Sequence, residues 1–255
     1  MGEVIFITSG KGGVGKTTVT ANLGKELARS DKKVMLLDFD FGLRNLDIIL
    51  GLEQAVVYDI SDVLEGRCRL RQAVIHPWRD LPMYFLPAAA DADYLPDSER
   101  FSYLMENLKA SFDYILIDSP AGVSQLFDMT VPFLTSVIVV VTSDSASISD
   151  ASYIFRTLPG QQQTGRYLIL NRFPAGRWQR RRRLDAEDLH LFFHVPVLGT
   201  VYEDKKAGEC TDYGQLMSEK SSAAGRSFAK ISRRILDYSS INKGQKTGRQ
   251  HVSQL

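Results

Sequence analysis

The residues with the clearest chemistry lie near the start of the chain, where Gly10-Lys11-Gly12-Gly13-Val14-Gly15-Lys16-Thr17 fits the pattern G-x-x-x-x-G-K-[ST] and Thr18 follows. Each residue type has a task in holding a polyphosphate. Glycines 12, 13 and 15 let the backbone turn so that successive N–H groups point inward at phosphate oxygens. A helix opening near Lys16 adds the positive end of its dipole. Lys16 is expected to reach the β- and γ-phosphates and the Thr17 hydroxyl to sit on Mg²⁺. The expected ligands are therefore ATP and Mg²⁺, gripped from Gly10 to Thr18.

Two later stretches share one arrangement: an apolar run, a terminal aspartate, then a loop. The first is Leu36-Leu37-Asp38-Phe39-Asp40-Phe41-Gly42, and the second is Ile115-Leu116-Ile117-Asp118-Ser119-Pro120-Ala121-Gly122. A carboxylate at a strand's carboxyl end, beside a phosphate loop, can hold waters of a Mg²⁺ shell or orient an attacking water. Asp38 and Asp40 share one side of the extended chain, so both can face the nucleotide. A single strand-end aspartate is often only a helix cap. Two such segments beside a phosphate loop favour a site.

These groups must be positioned by the elements around them. Val4–Thr8, Val34–Asp38, Met83–Leu86, Tyr114–Asp118, Ser136–Thr142, Tyr167–Asn171 and Val197–Val201 read as strands. Most are unbroken apolar runs, the pattern of strands buried on both faces. Amphipathic stretches alternate with them at Thr17–Ser30, Asp97–Ser111, Ser147–Leu158, Asp185–Phe193 and Glu219–Tyr238. The alternation predicts an α/β fold of three layers, a mostly parallel sheet with helices on both faces, of the P-loop NTPase (Rossmann-like) kind. No internal repeat or long linker divides the chain, so residues 1–238 are expected to form one domain. Residues 239–255 are polar and read as a disordered tail.

Composition narrows the setting. A formal net charge of +1 gives no global field toward nucleic acid or an acidic substrate. Two distant cysteines, Cys68 and Cys210, argue against a disulfide framework or structural zinc and for a reducing cytoplasm. No apolar run approaches the roughly 20 residues that span a bilayer.

Lys11 is unneeded for cradling phosphate, and with it Gly10-Lys11-Gly12-Gly13-Val14-Gly15-Lys16-Thr17-Thr18 resembles the signature of the MinD/ParA family of deviant Walker ATPases. The stretches from Asp38 to Asp47 and from Asp118 to Gly122 resemble the switch regions of the family's MinD-like branch, and the likeness runs from Val4 to about Tyr238. The resemblance implies an ATP-dependent homodimer in which Lys11 reaches the partner's phosphates and acts in catalysis with Lys16. It implies that Asp40 positions the hydrolytic water, that Thr17, Asp38 and Asp118 support Mg²⁺, and that Asn45 lies at the dimer interface. Asn171 and Arg172 would hold adenine, together with the loop Val201-Tyr202-Glu203-Asp204, in which Tyr202 replaces the family's usual proline. The implied function is positioning of the division septum through a regulatory protein partner that reads the dimer surface.

Three features bear on that implication. The stripe Phe228, Ile231, Ile235 and Leu236 is expected to pack on the sheet, and beyond Tyr238 the family's amphipathic membrane anchor is not apparent. Direct membrane binding is therefore not expected, and membrane contact would run through a partner. Ser143-Asp144 and Ser149 replace a Pro-Glu pair and an arginine on the family's partner-binding surface. The basic run Arg180–Arg183 keeps open DNA binding of the partitioning kind, for which a steep salt dependence would be the mark. Flagellar or polar-organelle placement is the other alternative. A cluster-bridging reductase is disfavoured because no cysteine lies between Asp118 and Cys210. His190 and His194 stand four apart without the glutamate of a zinc-protease motif and read as surface or packing residues.

Overall fold

The computed structural model describes residues 1–122, 125–158, 164–174, 183–212, 214–218, 220 and 222–252. Seven strands form one sheet: β1 (Glu3–Thr8), β2 (Val34–Asp38), β3 (Met83–Leu86), β4 (Tyr114–Asp118), β5 (Ser136–Val141), β6 (Gly165–Phe173) and β7 (Val197–Tyr202). Their order is β3-β2-β4-β1-β5-β6-β7, and every neighbouring pair is parallel.

Side chains alternate across this sheet and build two cores. Val4, Phe6, Met35, Leu37, Ile115 and Ile117 face one layer, which contains α3 (Ile60–Leu64), α4 (Leu70–Ala73), α5 (Ser98–Ser111), α6 (Gln125–Thr130), α7 (Ser145–Thr157) and α8 (Ala186–Phe193). Ile5, Ile7, Leu36 and Leu116 face the other, with α1 (Lys16–Ala28), α2 (Asn45–Leu50) and α10 (Ala223–Val252). A short helix α9 (Lys206–Asp212) packs against α2. This is the three-layer α/β fold that the alternating pattern predicts. Strands β2, β3 and β4 have the predicted bounds, and β6 extends beyond them at both ends.

Two differences have physical causes. The short helices α2, α3, α4, α6 and α9 hold four to seven residues each, too few to show a helical period. Local caps hold such pieces; Asp59 and Asp62 form a reciprocal capping box on α3. The last helix was expected to end at Tyr238 and instead continues to Val252, since no proline interrupts the stretch. Phe228, Ile231 and Ile235 are buried in the core under α10, as the stripe predicts.

Strand β1 lies between β4 and β5, so chain segments leave it toward both edges of the sheet. The carboxyl end of such a strand opens a crevice, where α/β folds bind ligands.

Candidate nucleotide site

The loop after β1 enters α1 through two left-handed glycines, Gly13 (φ 77°) and Gly15 (φ 93°). Gly15 is the N-cap residue, and no side chain caps the helix, which leaves first-turn N–H groups for an anion. A Cβ at Gly15 would lie 2.4 Å from the Asn171 side-chain nitrogen, so the closeness of β6 also demands glycine. Asn171 Nδ2 donates to the Val14 carbonyl at 2.7 Å, and an Arg172 guanidinium nitrogen donates to the Gly13 carbonyl at 3.1 Å. Both residues line the cleft and hydrogen-bond the phosphate loop. They occupy its carbonyls, and the N–H groups are left to face a ligand.

The cleft encloses about 1270 Å³. Gly12, Gly13, Gly15, Lys16, Thr17 and Thr18 line one part. Asp40, Asn45, Pro120 and Ala121 lie beside them. Val201, Met217, Ala224 and Phe228 make an apolar wall with the polar loop Tyr202–Lys205. Thr18 was expected among the phosphate contacts, and it does face the cleft.

Register places Asp38 and Asp118 side by side at the ends of β2 and β4. Both are buried. Burial pushes the Asp118 carboxyl up to about 6, against the Thr17 and Thr20 hydroxyls and the Lys16 ammonium, which favour its charged form. Burial, and then the neighbouring Asp118, raise Asp38 well above the usual carboxylate range. Asp38 accepts from the backbone N–H of Asp40 at 2.9 Å and of Leu46 at 3.2 Å, so its two oxygens hold the first acidic loop. Asp118 Oδ1 accepts from Thr20 at 2.9 Å, whereas Oδ2 is buried with no hydrogen-bond partner among the described residues. An orphaned buried carboxylate oxygen below a helix N-terminus that carries Thr17 fits a cation with its water shell. Thr20 was not legible as part of this site, because it lies one helical turn past the motif.

Asp40 lies on the cleft, and the Asn45 amide donates to its Oδ2 at 3.3 Å. Lys11 does not line the cleft of its own subunit. Its Nζ pairs with Asp144 Oδ1 at 2.8 Å, with both side chains about two-fifths exposed. Asp144 also caps α7 through the Ser147 N–H, and the Lys11 contact and these donors hold its carboxyl well below the usual range despite partial burial. The second acidic loop joins the first motif directly, since the Gly122 N–H donates to the Ser9 carbonyl at 2.9 Å.

Other expected features lie elsewhere. Arg183 donates to Ser143 Oγ at 3.0 Å, while Arg180–Arg182 lie outside the described residues. His190 Nδ1 bonds the Val195 carbonyl at 2.9 Å, and His194 is the left-handed C-cap of α8. Among the described residues, no helix is long and apolar enough to cross a membrane.

With this geometry in place, the family model for the CobQ/CobB/MinD/ParA nucleotide binding domain matches residues 5–217. The chain belongs to that family. It is 40% identical over 238 residues to the septum site-determining protein MinD of Synechocystis, covering 92% of this chain and 90% of the relative. It is 37% identical over 240 residues to MinD of Bacillus subtilis, with 92% and 90% covered. Among solved structures it is similar to that of an Aquifex aeolicus MinC:MinD cell division complex, at a TM-score of 0.82 and 39% identity, covering 92% and 96%. A Pyrococcus horikoshii MinD complexed with Mg-ADP is similar at a TM-score of 0.79 and 29% identity, covering 95% and 99%. The resemblance to MinD/ParA proteins drawn from the motifs is thus borne out. The chain is of the MinD type, with a nucleotide-binding domain.

Proposed function

We propose that this protein is an ATP-hydrolysing, ATP-switched homodimer that positions the division septum. One observation carries the mechanism: the phosphate loop and the acidic residues Asp38, Asp40 and Asp118 converge at the carboxyl ends of β1, β2 and β4, while Lys11 lies outside its own cleft. Relatives named septum site-determining protein support the cellular reading.

In this reading the first-turn N–H groups of α1 and Lys16 bind the ATP phosphates and hold the γ-phosphoryl group for in-line attack. Thr17 and Asp118 would hold Mg²⁺, with Asp38 fixing the loop beside it. Bound Mg²⁺ would offset phosphate charge. Asp40, held by Asn45, orients a water whose oxygen forms the new bond to the γ-phosphorus. The bond to the β–γ bridging oxygen breaks, and ADP and phosphate leave. Lys11 exchanges Asp144 for the phosphates of a second subunit and offsets charge on the transferring group. A regulatory protein, of the kind seen with the Aquifex aeolicus relative, would read the dimer surface.

Two measurements test the reading. Calorimetry should detect Mg·ATP binding by the parent and none by Lys16→Ala; equal affinities would reject this cleft as the nucleotide site. A fluorescent fusion in the native cell should report on septum placement, and accumulation at a flagellar or other polar organelle would reject the cellular role while leaving the ATP switch intact.

A further inference from the structure

Met217 lines the cleft with Val201, Ala224 and Phe228, at the end of a short strap, residues 214–217, that lies between α9 and α10 in the chain. Two side chains of α1, Asn22 and Lys25, hold its backbone. Asn22 Oδ1 accepts from the Met217 N–H at 2.8 Å, and Asn22 Nδ2 donates to the Thr18 carbonyl at 2.8 Å. Lys25 Nζ donates to the Met217 carbonyl at 2.9 Å and the Leu216 carbonyl at 3.4 Å. Asn22 and Met217 are both buried.

One amide side chain therefore ties the turn that carries Thr18 to the apolar wall of the cleft. Met217, Ala224, Phe228 and Val201 give that wall an apolar surface, which suits the face of a purine. The strap has one further fixed point. A Cβ on Gly214 would come within 2.5 Å of the Gly51 Cα, so its backbone lies directly on the end of α2.

We infer that Asn22, together with Lys25, is a positioning residue for nucleobase binding: it holds Met217 against the base without touching the nucleotide. This rests on the cleft being the ATP site. Loss of either tie leaves the phosphate loop built but lets the base wall drift, so the base contribution to affinity falls while the phosphate contribution stays.

The test compares Mg·ATP with Mg·tripolyphosphate, which presents three phosphates and no base, by calorimetry on the full chain. Asn22→Ala and Lys25→Met should each weaken ATP about tenfold, the effect expected for one or two lost hydrogen bonds, and change tripolyphosphate less than twofold. Lys25→Arg, which can donate to both carbonyls, should restore ATP affinity. Lys25 is only half-buried, so its variants carry the test if Asn22→Ala does not fold. Unchanged ATP affinity in Lys25→Met, or equal losses for both ligands, would overturn the inference. A parent that bound neither ligand would instead overturn the nucleotide-site reading, and this inference with it.

Discussion

Replacing Asp118 with asparagine should stabilise the nucleotide-free protein while removing its Mg²⁺-dependent chemistry. The carboxyl is buried beside Asp38, and one of its oxygens has no partner among the described residues. Its pKa rises from 3.8 to about 6 on folding, so between these values the folded state holds a proton that the unfolded chain has lost. The resulting stability is fully present below pH 3.8 and is lost as pH rises through about 6. At about 1.4 kcal/mol per unit, the ionised carboxylate costs up to about 3 kcal/mol at pH 7. Asp118→Asn has no such titration, and its amide still meets the Thr20 hydroxyl. Urea denaturation followed by circular dichroism, without nucleotide or Mg²⁺, should show the variant more stable at pH 7.5. The gap should shrink to about a third of that by pH 4.5 and close only as pH falls below 3.8. A variant less stable than the parent at pH 7.5, or a gap that did not change with pH, would refute the reasoning. The same variant should lose Mg·ATP hydrolysis, as expected where stability is given up for a charged site.

Gly15→Ala combines a left-handed backbone with a contact 2.4 Å from Asn171, so it should lower stability by about 1–3 kcal/mol and abolish ATP binding; parent-like melting and affinity would contradict the loop geometry. Asp40→Ala removes only the water-orienting carboxylate and should keep ATP bound in a long-lived dimer. Sedimentation with Mg·ATP checks this, and hydrolysis at the parent rate would remove Asp40 from the mechanism.

The sequence was most informative where one residue type answers one demand. Glycines 13 and 15 adopt the left-handed turn their motif requires, and the apolar runs ending in Asp38 and Asp118 became adjacent buried strands. Register across the sheet was not legible, so the mutual effect of these two aspartates appears only with β2 paired to β4. Long-range contacts escaped for the same reason. Lys11 meets Asp144, and Asn22 meets Met217, across 133 and 195 residues, and no local pattern encodes either pair. Asn171 and Arg172 line the cleft, where they are expected to meet a base, and long-range bonds from both to the Val14 and Gly13 carbonyls were not legible. Short helices such as α2 and α9 were missed because six or seven residues make less than two full turns.

The central claim is that hydrolysis needs Lys11 from a second subunit. In the structure its ammonium pairs with Asp144 and does not line its own cleft, so removing it should spare ATP binding. Lys11→Ala should bind ATP nearly as the parent does and hydrolyse it slower by a factor on the order of 10³. The most direct measurement mixes Lys11→Ala with Lys16→Ala, which supplies Lys11 but cannot bind ATP, and follows phosphate release. Neither variant alone should hydrolyse, and the mixture should recover activity as mixed dimers form. Parent-like hydrolysis by Lys11→Ala alone, or no recovery in a mixture shown to form mixed dimers, would contradict the account.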